Sequence, residues 1–176
     1  NLKLAVDTNV ENMVTRATAD EETLPDINDF SIAVLQNNNV QLTWNRYADF
    51  TDGTEIAAGN YTLKATYGNI ETQGFEAPYY EGAKEFSIKN ISVICYLANV
   101  KVTTEYTELF KKYFTDYTVN IRPAGSTDIS FDKNETRAAY VKPGKISIYL
   151  SGSKQQGNKV TFEAATIENA KARQHY

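Results

Sequence analysis

The residues that could do chemistry are few and far apart. His175 is the only histidine, so the chain offers no zinc signature, Cys–His pair or histidine-based triad. Cys95 is the only cysteine, which rules out an internal disulfide framework. Ser151 and Lys154 have the Ser-x-x-Lys spacing of a nucleophile and its base. That pair works on a helical turn with a buried lysine, whereas SGSKQQG reads as a polar, glycine-bounded loop. Asp49, Asp52 and Glu55 around Gly53 offer oxygen ligands for calcium, but the EF-hand spacing is absent, and acidic residues beside glycine are ordinary turn chemistry. No glycine-rich phosphate cradle follows a strand. Lys101, on an apolar strand, could form an isopeptide with an asparagine, which an intact mass lower by one ammonia would reveal. The expectation is a non-enzymatic protein with no catalytic residue, metal or cofactor.

Aromatic residues remain. GFEAPYYEG, residues 74 to 82, sets Pro78, Tyr79 and Tyr80 between glycines. A tyrosine presented from a loop can stack on a sugar face or anchor a protein partner. Trp44 and Tyr47 are candidates for the same surface. The plainer reading has Phe75 and one tyrosine filling a core while Pro78 and Gly82 shape the turn.

The elements that position these residues read as β-strands. The 176 residues include twelve Tyr and eight Phe, with many Val, Ile and Thr, a composition that favours sheets. This length suits one large domain or two of about 85 residues. A net charge of −4 argues against nucleic-acid binding, and no apolar run is long enough for a transmembrane helix. The start at Asn1, without an initiator methionine, reads as a processed or trimmed chain.

LKLAV (2–6) alternates as a first strand, and a polar connection follows to Asn28. Phe30, Ile32 and Val34 share a face, a turn at Asn37–Asn39 follows, and Val40, Leu42 and Trp44 share a side of the returning strand. Tyr61, Leu63, Ala65 and Tyr67 give an unbroken period of two, and Phe86 and Ile88 mark another strand. The alternation Ile91, Val93, Cys95, Leu97 then slips by one residue to Val100 and Val102. Such a slip sends side chains to the opposite face, and a domain boundary is placed at Ala98–Asn99. Tyr106, Leu109, Phe110, Tyr113, Phe114 and Tyr117 form a helical stripe, with Thr107 as the cap and Lys111 and Lys112 near the end.

The two halves repeat. DFSIAV begins at Asp29 and DYTVNI at Asp116, 87 residues on; AGNYTLKATYG and PGKISIYLSG place Gly59 and Gly144 85 residues apart. Two landmarks in one order predict a tandem duplication. The expected architecture is all-β and mostly antiparallel: two transthyretin- or immunoglobulin-like sandwiches, 1–98 and 99–176, with one short helix near 106–114. TIENAKARQHY lacks a closing turn. It reads as a mobile or truncated end needing one more strand, from beyond Tyr176 or from another chain.

TRA (15–17), DF (29–30), GNYTLKATYG (59–68), GFEAPYYEG (74–82), CYLANVKV (95–102) and ELFKKYFTDYTV (108–119) together resemble a Bacteroidales surface lipoprotein family, a domain of unknown function. That family is similar to the fimbrillins, pilus subunits built of two transthyretin-like sandwiches. The resemblance implies export and a lipid-bearing cysteine upstream of Asn1, holding the protein on the outer membrane of a Gram-negative bacterium. It also implies a role in cell adhesion or pilus assembly, with other surface proteins as partners. Fimbrillin-type subunits are trimmed by an Arg-specific protease, and by that analogy Arg16 is the candidate processing site. Cleavage there would free the first strand and open an edge for β-strand addition. The alternative is a surface carbohydrate-binding module using Trp44, Tyr79 and Tyr80.

Overall fold

The computed structural model describes residues 2–13, 23–87 and 91–176. In chain order the strands are β1 (Leu2–Asp7), β2 (Glu11–Asn12), β3 (Ser31–Gln36), β4 (Asn39–Trp44) and β5 (Tyr61–Tyr67). They continue as β6 (Gly74–Phe75), β7 (Tyr80–Phe86), β8 (Ile91–Leu97) and β9 (Val100–Val102). Helix α1 (Glu108–Tyr113) precedes β10 (Phe114–Pro123), β11 (Ile129–Asp132), β12 (Ala139–Val141), β13 (Gly144–Lys154), β14 (Lys159–Ala170) and β15 (Gln174–His175). The protein is all-β with one α-helix among the described residues.

The chain divides into two compact units. The first comprises Asn1–Val10, Thr18–Asn69 and Pro78–Ala98; the second comprises Glu11–Ala17, Ile70–Ala77 and Asn99–Tyr176. The phase slip after Leu97 marks the point where β8, in a sheet of the first unit, gives way to β9 in a sheet of the second. Two short strands from the amino-terminal half, β2 and β6, also belong to the second unit.

The first unit carries one six-stranded sheet, ordered β1-β8-β7-β5-β3-β4. Its buried face is built by alternation: Phe30, Ile32 and Val34 at β3, Leu63 and Ala65 on β5, and Val93, Cys95 and Leu97 on β8. The β3–β4 hairpin turns through Asn37 and Asn38, both at positive φ (51° and 63°), as a two-residue primed turn requires. A bulge between Val34 and Leu35 then sets Val40 opposite Leu35 rather than on the face of Leu42 and Trp44. Val40 is accordingly 60% exposed, and the expected Val40–Leu42–Trp44 stripe is broken at its first member.

The second unit is a two-sheet sandwich of β11-β10-β13-β14 and β2-β15-β9-β12-β6. Ile121, Phe131 and Ile146 from one sheet meet Val100, Val102 and Val141 from the other in a single core. Thr107 caps α1 by accepting from the Phe110 amide at 3.2 Å. The stripe read as helical is divided: Phe114 and Tyr117 are buried strand residues of β10, and Leu109 is 78% exposed.

One expectation for the carboxy-terminal segment, that it is mobile, is overturned. Residues 159–170 form a twelve-residue strand, and β15 lies between β2 and β9. His175 is 4% exposed, its Nε2 2.9 Å from the Thr103 hydroxyl. This segment is therefore part of the sandwich rather than mobile. Ser151 and Lys154 also lie on β13, not in a loop. Three positions apart on an extended strand, they project to opposite faces and cannot act as a pair.

The repeat extends to the hydrogen-bonded ladders. The order β4-β3-β5-β7 recurs as β11-β10-β13-β14. Ile32 pairs with Trp44 and Ala65; 87 residues after Ile32, Val119 pairs with Phe131 and Leu150. Val34 pairs with Leu42 and Leu63, and Ile121 with Ile129 and Ile148. A one-residue slip would have reversed every face, and across these pairs there is none.

Candidate functional site

β1 is an edge strand with one neighbour, β8, to which it runs parallel. Leu2 lies opposite Ile91, Leu4 opposite Val93, and Val6 opposite Cys95. Leu2 and Leu4 are buried, and burial of each such side chain stabilises the pairing by about 1.5–3 kcal/mol. Tyr47, from the 3₁₀ turn Tyr47–Asp49 after β4, donates its hydroxyl to the Leu2 carbonyl at 2.8 Å. β1 is thus held by one ladder, two buried leucines and a phenol.

Beside Leu2 lies an apolar cavity of about 510 Å³, within the range of small-molecule and side-chain pockets. Leu2, Ile91, Leu42, Trp44, Phe50 and Ile56 line it, with Asp52 and Glu55 contributing carboxylates. Trp44 meets Phe50 edge-on, ring centres 5.1 Å apart, and Phe50 stacks on Tyr47 at 6.4 Å. The repeat shows what is unusual here. Phe131, which occupies the position of Trp44 in the second unit, is fully buried and packed edge-on against Phe75 at 5.0 Å. Trp44, only half-buried, faces open space instead.

The tyrosines of GFEAPYYEG do not form a platform, which corrects the expectation for Tyr79 and Tyr80. Tyr80 is 1% exposed, its ring edge-on to Phe30 at 6.4 Å. Tyr79 is 8% exposed and donates to a Glu81 carboxylate oxygen at 3.0 Å. The other Glu81 oxygen accepts from the Tyr96 hydroxyl at 3.5 Å. Burial, then the bond to Glu81, pushes the Tyr79 phenol up to about 12. Burial and the Glu81 charge likewise push the Cys95 thiol up to about 12. Pairing explains the inward turn of Tyr80, which opens β7 opposite Tyr67 and Leu97, while Tyr79 lies in the connection before it. Tyr80 and Trp44 lie three strands apart in the sheet, roughly 14 Å. Only Trp44 and Tyr47 of the four share a site, joined through Phe50.

Arg16 lies outside the described residues. Among the described residues no group of three or more His, Cys, Asp and Glu side chains is placed to hold a metal ion. Lys101 is buried on β9. Leu2, Phe50 and Glu81 escaped the sequence reading. Leu2 and Phe50 showed only as strand and loop apolars, and Glu81 as one acid among many.

A family described as a domain of unknown function, DUF4493, matches residues 1–176. The chain belongs to the DUF4493 family. No curated protein matches it. Among solved structures, this DUF4493 chain is similar to a "putative cell adhesion protein" of Bacteroides thetaiotaomicron, at 14% identity and a TM-score of 0.51, covering 99% of this chain and 90% of that one. A second such protein, from Bacteroides ovatus, is 10% identical with a TM-score of 0.46, covering 97% and 88%. The first likeness is one of fold.

Proposed function

We propose that this chain is a non-enzymatic cell-surface adhesion protein whose partners are other surface or pilus subunits, engaged by β-strand addition where β1 now sits. The observation that carries the reading is the state of β1: one parallel ladder to β8, with the apolar cavity opening beside its first residue. Removing β1 exposes a row of backbone donors and acceptors on β8 and the apolar positions beneath Leu2 and Leu4. An incoming strand satisfies both, with backbone bonds giving affinity and side-chain pockets giving specificity. The fold shared with the Bacteroides thetaiotaomicron protein, named for cell adhesion, supports the same class.

Cleavage after Arg16 is the proposed trigger. It would release β2 together with β1, because both precede Arg16. The proposed location is the outer membrane, through a lipid on a cysteine upstream of Asn1. No helix among the described residues is long and apolar enough to cross a membrane. The carbohydrate-binding alternative loses its aromatic pair to burial, and no other observation favours it.

Limited trypsin digestion followed by size-exclusion chromatography tests the proposal. The expected result is a cut after Arg16, loss of the amino-terminal peptide and growth of oligomers. Added synthetic peptide covering β1 should reverse that growth. If the peptide stays bound after cleavage and no species larger than those of the uncut chain appears, the reading is wrong.

A further inference from the structure

We infer that the free edge of β14 pairs antiparallel with β14 of a second copy of this chain. The internal repeat points to this edge. β7 and β14 occupy the same place in the two four-strand orders, and β7 carries β8 antiparallel on its far side, through Tyr80–Leu97 and Glu81–Tyr96. β14 has no neighbour there among the described residues. Its twelve residues make it the longest edge strand described; β1 and β4 have six each, β11 four, and β2 and β6 two. A long uncovered edge is a template for pairing.

The side chains choose the occupant. Phe162 and Ile167 lie opposite Leu150 and Ile146, on the face turned to the core. Phe162 is nevertheless 47% exposed, whereas Leu150 is buried. The sheet thus overhangs its core at β14 and leaves apolar surface for an added strand to cover. A two-fold axis between Ala164 and Ala165 sets Phe162 against Ile167, Glu163 against Thr166, and Thr161 against Glu168 of the other copy. The shift between Ile148 and Tyr149 leaves Ala164 as the extra residue, so the irregular point falls on the axis with only small side chains. On either side of it, the paired residues share a face. In parallel, in-register pairing Glu163 would oppose Glu163 and Glu168 would oppose Glu168, which like-charge repulsion disfavours. The antiparallel register opposes no like charges, and Glu168 is further neutralised by Lys145 at 3.2 Å.

The test is sedimentation equilibrium on the intact, untreated chain, so it is separate from strand release at β1. The wild type is expected to shift from 19.7 kDa towards twice that mass as concentration rises. Ala165→Lys puts a charge on an exposed position of this face and should raise the dimer dissociation constant at least about tenfold, with the thermal midpoint of the monomer unchanged. Thr161→Cys combined with Glu168→Cys should give a disulfide-linked dimer on a non-reducing gel, since within one chain these positions are too far apart to join. A wild type that stays monomeric at every concentration, or a dimer that Ala165→Lys leaves intact, overturns the inference.

Discussion

The hydroxyl of Tyr47 donates to the carbonyl oxygen of Leu2 at 2.8 Å, tying the turn after β4 to the first residue of β1. These residues stand 45 positions apart, at opposite edges of the six-stranded sheet. The bond therefore bridges the two edges of the sheet, beside the cavity that Leu2 shares with Leu42 and Trp44. It also makes Tyr47 a clasp on the strand proposed to leave.

Tyr47→Phe keeps the ring that stacks on Phe50 and removes only the donor. A net hydrogen bond contributes about 0.5–1.5 kcal/mol, and urea denaturation should show a loss in that range. Amide exchange on β1 should accelerate more than exchange on β3 or β5. Uniform acceleration across the sheet would mean that the bond supports the whole unit rather than its edge.

The repeat offers a paired test. Phe131→Ala removes a fully buried ring and should destabilise by about 3–5 kcal/mol. Trp44→Ala, at the equivalent but half-buried position, should cost clearly less. Trp44 is the only tryptophan, so its fluorescence reports directly on the cavity. A peptide carrying the β1 sequence should shift that emission in protein from which β1 has been removed.

Alkaline pH should weaken the first unit. Tyr79 and Cys95 both titrate near 12 in the fold, against ordinary values of 10.0 and 9.0. Between those values the unfolded chain has lost protons that the native state retains, so stability falls as pH rises. Stability measured by urea should hold up to about pH 8.5 and decline progressively towards pH 12. The Cys95 thiol should resist a disulfide reagent at pH 8 until the unit unfolds.

Gly82 lies where β7 crosses close to β8. A Cβ there would stand 2.4 Å from the Ile94 carbonyl oxygen, which is backbone and cannot swing aside. Gly82→Ala should destabilise by about 1–3 kcal/mol or more. Gly53→Ala has open space around its Cβ but a φ of +94°; its cost should come from backbone strain alone and be smaller.

The legible parts of the fold were those encoded by local alternation. β3, β5 and β8 could be read because each spans six or seven residues with one apolar face, and the Asn37–Asn38 turn because few residues accept positive φ. Illegible parts depend on distant partners. β2 and β6 have two residues each, too few for any period to show. The exposure of Val40 follows from a bulge that its own residues do not announce. Tyr79 and Tyr80 look identical in a glycine-bounded stretch whether they face water or core; Tyr80 is turned inward by pairing with β5 and β8, and Tyr79 by its hydroxyl bond to Glu81 and the Ala98 amide on its carbonyl. Of the site, Trp44 and Tyr47 were found by type; the Leu2 carbonyl, a backbone atom, carried no signal.

The place of β15 in its sheet has a kinetic meaning. Glu11, on β2, pairs with Gln174, and the parallel ladder joins strands that lie far apart in the sequence. Until residues 174 and 175 are available, β2 has no partner in its sheet and β9 lacks the neighbour on that side. Contacts of such long sequence separation are slow to form. A chain still being made or threaded through a narrow passage would leave this sheet open until β15 emerged.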